Sequence, residues 1–196
     1  MKDFIVTSYY TTDTGYEQEV KSLRGSLDHH NIRSDIRGIE SRGSWQKNTR
    51  YKAVFLREML DLYPEYNIVW IDADAVVLRY PFFFKYIDAD AAFYFRTNGG
   101  NVYRISEGCE LLSGTIFLQN NDQARKLVDM WILQNQREFV NLEQYNLQVI
   151  VGDWRKQGGR LAVLPQSYCR IFDADSDWPV VTHGQASRRL RHEVDK

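Results

Sequence analysis

A chain of 196 residues with 25 Lys and Arg against 26 Asp and Glu is the size of one domain, able to bury roughly 70% of its extended surface without staples. Its balanced charge gives no long-range field to hold nucleic acid or an anionic membrane. The 43% hydrophobic content, with 5 Trp, 12 Tyr and 10 Phe, excludes a disordered chain.

Phe4 to Tyr9 reads as a buried strand. Thr14-Gly15-Tyr16-Glu17 matches a capping box, opening a helix with Tyr16, Val20, Leu23 and Leu27 at helical spacing. Ser34 to Ile39 alternates as a second strand, and Lys47 to Tyr63 is a long helix stopped by Pro64. Ile68-Val69-Trp70-Ile71 is apolar on both faces, as in a central strand covered by helices on both sides. The order so far predicts βαβαβ with a parallel sheet. Further strands are expected at 75–78, 91–96, 102–105 and 115–119, with a turn at Asn98-Gly99-Gly100. Asn121 caps a helix running to Gln134, and another covers 142–150. Short strands at 160–164, 169–172 and 180–183 precede a charged tail or short helix over 188–196. Cys109 and Cys169 have no zinc-ligand spacing, so two free thiols in a reducing compartment are expected. The N-terminus enters a strand without a signal stretch, and no segment approaches the ~18 apolar residues of a membrane span. A soluble, cytoplasmic protein is the expectation.

Asp72-Ala73-Asp74 leaves the apolar strand at its C-terminal end, where open α/β sheets bind ligands. Strand side chains alternate, so Asp72 and Asp74 face the same way and can converge on one hard divalent cation. Asp88/Asp90, Asp173/Asp175 and Asp175/Asp177 share the spacing, so the triplet alone is weak. Context separates them. Asp88 and Asp90 precede a strand and read as a cap or turn, while Asp173 and Asp175 follow an expected short strand and remain a weaker candidate, although Asp177-Trp178-Pro179 beside them suggests a solvated turn.

The sequence here resembles the GT-A glycosyltransferases, enzymes that use a nucleotide-sugar donor. The resemblance spans most of the chain and rests on Asp72-Ala73-Asp74, Ser113-Gly114-Thr115-Ile116-Phe117-Leu118, Glu143-Gln144 and Val181-Thr182-His183-Gly184. Their order is similar to that of glycogenin-like and bacterial galactosyltransferase-like members. It implies a Rossmann-like, mixed and mainly parallel sheet with helices on both faces. Residues 1–110 would form the nucleotide-sugar half, and residues 111–196 the acceptor side with the metal and phosphate segment. Asp72 would contact ribose and metal, Asp74 and His183 would complete an Mn²⁺ or Mg²⁺ site, and Ala73 would border the donor. Thr7, Ser8, Tyr9 and Tyr10 would hold base and ribose, with a tyrosine offering a stacking face. Lys52 would lie over the donor sugar and phosphate, though a solvated helix face explains it nearly as well. Arg188 and Arg189 stand where the family has a phosphate-binding lysine, or belong to a solvated tail. Ser113, Gly114 and Thr115 would form the acceptor-side loop. Glu143 and Gln144 would line the donor sugar, Glu143 being the best carboxylate for catalysis.

The resemblance thus implies transfer of a hexose or pentose, with retention, from a UDP-sugar to a glycan, glycoprotein or small-molecule hydroxyl. Two other readings share the triplet. Asp72-Ala73-Asp74-Ala75-Val76 also matches haloacid-dehalogenase-type phosphatases, whose first aspartate is a nucleophile. Their later acidic motif is met only by Gly152-Asp153, with Gln157 where an aspartate belongs. A non-catalytic nucleotide-sugar-binding module on the same fold is the other.

Overall fold

The computed structural model describes residues 2–97, 100–101, 108–137, 142–171 and 178–194. In chain order these form β1 (Phe4–Thr11), α1 (Tyr16–His29), β2 (Ser34–Ile39), α2 (Trp45–Leu62), β3 (Asn67–Ile71), β4 (Ala75–Val77), β5 (Ala91–Thr97) and β6 (Gly100–Asn101). Then follow β7 (Cys109–Leu118), α3 (Asp122–Arg137), α4 (Glu143–Lys156), β8 (Leu161–Val163), β9 (Arg170–Ile171), β10 (Val181–His183) and α5 (Ser187–Val194). The strand expected at 102–105 and the Asp173–Asp177 run lie outside the described residues.

The apolar alternation of the strands builds two cores. Ile5, Ile68, Trp70, Phe93, Ile116 and Leu118 face α2, α3 and α4, while Phe4, Val6, Val69, Ile71, Ala92 and Phe117 face α1 and a smaller sheet. The large sheet runs β2-β1-β3-β7-β5-β6, with β8 also on β5. β1 is parallel to β2 and β3, β7 is antiparallel to β3 and β5, and β8 is parallel to β5. Five strands therefore share one direction. This is the mixed, mainly parallel sheet with helices on both faces that the resemblance implies. Successive strands fall on opposite sides of β1, so a crevice opens at the carboxyl ends of β1 and β3.

The small sheet runs β4-β10-β9 and pairs His183 with Ala75 on one side and Ile171 on the other. It carries the late histidine back to the acidic triplet.

Local differences from the sequence reading have identifiable causes. At α1 the capping box does not close, because Thr14 Oγ1 accepts from Tyr16 N (3.3 Å) while Glu17 reaches back to Asp13 N (3.0 Å). α2 starts at Trp45 because Ser44 Oγ accepts from Lys47 N at 3.2 Å. β7 begins at Cys109 rather than 115. Its pairing with β5 jumps from Phe93↔Ile116 to Tyr94↔Leu112, so Ser113-Gly114-Thr115 bulges out of that ladder instead of starting a strand. α4 continues through Gly152 to Lys156, held by fully buried Trp154, whose indole donates to Gln123 O at 2.9 Å. The charged tail forms α5 and docks on the start of α1, with Glu193 accepting from Gly15 N at 2.7 Å. Among the described residues no helix is long and apolar enough to cross a membrane.

Asp90 is a structural hub. Buried at 3% exposure, its carboxylate accepts from Arg160 N (2.8 Å) and from Nδ2 of Asn121 (2.8 Å), while Asn121 Oδ1 caps α3 through Ala124 N at 2.9 Å. One carboxylate thus ties β5, β8 and α3 together. Asp90→Ala is expected to cost about 2–3 kcal/mol, the loss of a charged acceptor that leaves buried donors unpaired. Urea unfolding should show it as a lower midpoint, and the cleft described below should bind its ligands unchanged.

Candidate active site

A cleft of about 430 Å³ opens at the carboxyl ends of β1 and β3. Asp72 is the first residue beyond β3. Its amide donates to Gly114 O at 2.9 Å, which keeps the chain against the β7 bulge, and its carbonyl accepts from Ala75 N at 3.0 Å to turn toward β4. That turn sets Asp72 and Asp74 on the cleft floor. Asp72 Oδ1 accepts from Trp70 Nε1 (2.7 Å) and Lys52 Nζ (3.0 Å), and Asp74 Oδ2 accepts from Ala186 N at 2.7 Å. Burial, reinforced by the charge of Asp72, pushes the Asp74 carboxyl above the usual range.

His183 faces the same floor. Its Nε2 lies 2.9 Å from Thr115 Oγ1, whereas Nδ1 is buried without a hydrogen-bond partner. Burial opposes the imidazolium, but Cys169 beside the ring and the Asp72 and Asp74 carboxylates outweigh it and raise the pKa to about 9. Ligand atoms of Asp72, Asp74 and His183 lie within 4.8 Å of one another. Gly114 keeps this space open: a Cβ there would stand 3.1 Å from His183 Nδ1 and 3.3 Å from Asp72 Oδ2.

A second polar group adjoins the first. Lys52, 4% exposed, places Nζ 3.1 Å from Glu143 Oε1, 3.1 Å from Ser113 O and 3.3 Å from Ser113 Oγ, besides its bond to Asp72. Burial works against its charge, but Asp72 and Glu143 more than offset it and hold the ammonium above the ordinary lysine range. This is a buried bridging cation, not a solvated helix face. Ser113 Oγ donates to Glu143 Oε1 at 2.7 Å, and Ser113 N donates to Gln144 Oε1 at 3.0 Å. Gln144 in turn reaches Glu110 (3.1 Å), which pairs with Arg96 (2.5 Å) at the rim.

Other expected residues are distributed unevenly. Tyr9 and Tyr10 line the cleft. The Tyr9 ring is wedged among Tyr51, Phe55 and Trp70, its hydroxyl donating to Asn48 O at 2.5 Å, and Tyr10 lies under the Arg24 guanidinium. Ala73 and Arg188 also line it. Thr7 and Ser8 are fully buried further back in β1 and do not border the cleft, and Arg189 points away into an ion pair with Glu19 at 2.9 Å. Asp153 sits exposed on α4, paired with Lys156 at 2.8 Å, so the later acidic motif of a phosphatase is not assembled at the cleft.

Sequence reasoning overlooked Trp45, Asn48 and Thr49, which also border the cleft. With Lys52 they follow i, i+3, i+4, i+7 spacing, so extending the face of Lys52 along its helix would have found them. Tyr16, which shares its helical spacing with Val20, Leu23 and Leu27, lines the cleft too, its hydroxyl pushed up to about 12 by burial and partly by Asp74 and Asp72. Trp70, read as core, carries an indole N–H that no hydrophobic pattern displays.

Two findings place this geometry among known proteins. The nucleotide-diphospho-sugar transferase family model matches residues 12–189. No curated protein matches the sequence. Among solved structures, a glycosyltransferase involved in glycosylation of the major capsid of PBCV-1 superposes with a TM-score of 0.70 at 15% identity, covering 98% of this chain and 97% of that one. The apo form of the glycosyltransferase GlyE from Streptococcus pneumoniae TIGR4 gives 0.64 at 14% identity, with 92% of this chain against 54% of GlyE. The present chain thus spans about half of GlyE, and at such identities the likeness is one of fold. With nearly its whole length matched by one family model and its sheet shared with these structures, the chain belongs to the nucleotide-diphospho-sugar transferases and is a glycosyltransferase of GT-A-like fold.

Proposed function

We propose that this glycosyltransferase moves a sugar, hexose or pentose, from a UDP-sugar to an acceptor hydroxyl with retention, using Mn²⁺ or Mg²⁺ held by Asp72, Asp74 and His183. The observation that carries the metal is the buried, unpartnered Nδ1 of His183, facing the same gap as Asp72 Oδ2 across Gly114. Two carboxylates and an imidazole suit Mn²⁺ well and Mg²⁺ through water-completed coordination. When bound, the cation supplies Lewis-acid stabilisation of the diphosphate leaving group.

The chain's own residues do the rest. Thr115 holds the His183 ring through Nε2 so that Nδ1 faces the gap. Tyr9 and Tyr10, backed by buried Thr7 and Ser8, form the wall for base and ribose, and Ala73 lets the donor approach the turn. Arg188, at the cleft border, meets the phosphates, with Arg189 behind it on Glu19. Residues up to 110 thereby form the nucleotide half, and those from 111 onward supply the acceptor side around Ser113, Gly114 and Thr115. The way Glu143 is held supports the retaining reading. Its Oε1 already accepts from Lys52 and Ser113, which suits a carboxylate steadying positive charge at the sugar carbon better than one taking the acceptor proton. Gln144 fixes the bulge from the other side. The acceptor is a glycan, glycoprotein or small-molecule hydroxyl. The buried thiols of Cys109 and Cys169 suit a reducing cytoplasm.

UDP with Mn²⁺ should raise the melting temperature and EDTA should erase the rise. Ligand at 100 times its dissociation constant stabilises by about 2.7 kcal/mol, or roughly 5–10 °C for a domain of this size. Equal shifts from pyrophosphate and from every nucleoside diphosphate would contradict uridine recognition at β1. A shift with no turnover of any UDP-sugar would favour the binding module.

A further inference from the structure

Asp72 has two oxygens, and the structure gives them different work. Oδ1 accepts from Trp70 Nε1 at 2.7 Å and from Lys52 Nζ at 3.0 Å. Oδ2 is turned toward Gly114 and His183. Of the two donors to Oδ1, Lys52 also serves Glu143 and Ser113 from the end of a flexible four-carbon stem. The indole is rigid. Trp70 is 2% exposed, with its ring centroid 5.0 Å from that of Tyr9 and 5.8 Å from that of Phe55. It lies near the end of β3, two residues before Asp72, and its N–H reaches forward to the carboxylate that follows the strand.

We propose that Trp70 is a positioning residue for the metal-binding carboxylate: its indole N–H pins Asp72 Oδ1 and thereby presents Oδ2 to the cation between Asp74 and His183. The assignment rests on the metal site proposed above. An uncharged donor suits the task because it fixes the carboxylate plane while adding no positive charge to a site that must attract a cation. Groups that orient a metal ligand typically change metal affinity by about 10–100-fold when removed. Lys52 stays on Oδ1, so the lower end applies.

Two variants remove the N–H. Trp70→Phe keeps an aromatic ring but gives up part of the indole's packing against Tyr9, Phe55 and Lys52, whereas replacing the indole by benzothiophene, with sulfur for N–H, removes it at constant shape. Mn²⁺ binding is followed through the electron paramagnetic resonance signal of the free aquo ion, and melting is measured in EDTA. Both variants should bind Mn²⁺ about tenfold more weakly, and the benzothiophene variant should melt in EDTA close to the wild type. The Mn²⁺ concentration for half-maximal rate should rise in step, with kcat at saturating Mn²⁺ nearly unchanged. If Trp70→Phe does not fold, the benzothiophene variant decides. Wild-type Mn²⁺ affinity in the shape-conserving variant would overturn the role of Trp70 alone. A wild-type chain that takes up no Mn²⁺ would overturn the metal site and the role of Trp70 with it.

Discussion

Asp74→Asn is expected to reduce sugar transfer by about 10³-fold, because losing a ligand charge weakens a stabilisation worth several kcal/mol and each 1.36 kcal/mol is tenfold in rate. The fold should survive. Asn keeps an oxygen for Ala186 N, and the main-chain carbonyl of residue 74 still accepts from Gly184 N at 3.0 Å. Burial and the neighbouring Asp72 raise the Asp74 carboxyl above its unfolded value. The charged form therefore opposes folding at neutral pH, and neutralising it relieves that cost. Melting in EDTA should be unchanged or slightly higher, while metal-dependent transfer collapses. Transfer at the wild-type rate by a folded Asp74→Asn protein would remove the acidic triplet from the mechanism.

Lys52→Met should have the largest effect on stability. The ammonium bridges Asp72 and Glu143 and satisfies the Ser113 carbonyl. Its removal leaves one deeply buried carboxylate and one partly exposed one without their cation. Breaking a buried pair in this way costs about 3–5 kcal/mol, and the exposure of Asp72 places the expected loss near 3 kcal/mol, roughly 6–12 °C in melting temperature. Activity should also fall, since Glu143 and Asp72 lose the group that spaces them. The pH dependence has a definite sign. The folded-state pKa of Lys52 is raised above its ordinary value, so its stabilisation is fully present at neutral pH and is lost only as pH rises through that raised pKa. The stability gap between wild type and Lys52→Met should therefore hold from pH 7 to 9 and narrow only in strong alkali. A Lys52→Met protein as stable as the wild type would show that the ion pairs contribute nothing net.

The sheet was legible because its central strands are apolar on both faces and its helices carry their stripe at regular spacing. Val20, Leu23 and Leu27 are buried as that spacing requires. Asp72 and Asp74 were legible from their place at the end of such a strand, and His183 from the order of motifs in the resembling family. What periodicity does not encode was lost. The bulge at Ser113-Gly114-Thr115 looks like a strand start, because small polar residues punctuate both. The Trp70 donor is hidden in a run of core residues, and Asp90 shares its spacing with Asp72 but spends its oxygens on Asn121 and Arg160. Thr7 and Ser8 fall on the expected strand yet are fully buried short of its end at Thr11, since sequence places a strand end only to within a few residues. Arg188 and Arg189 are adjacent, and only the docking of α5 against α1 sets Arg188 at the cleft border and turns Arg189 to Glu19.

The central claim, that this cleft breaks the bond between sugar and nucleoside diphosphate, is tested most directly by following free UDP. The protein is incubated with single UDP-sugars and Mn²⁺, with and without a mixture of simple glycoside acceptors. The account predicts UDP release from at least one UDP-sugar, slow alone and faster with acceptor, abolished by EDTA and by Asp74→Asn. Phosphate release from p-nitrophenyl phosphate, with no UDP from any UDP-sugar, would contradict it.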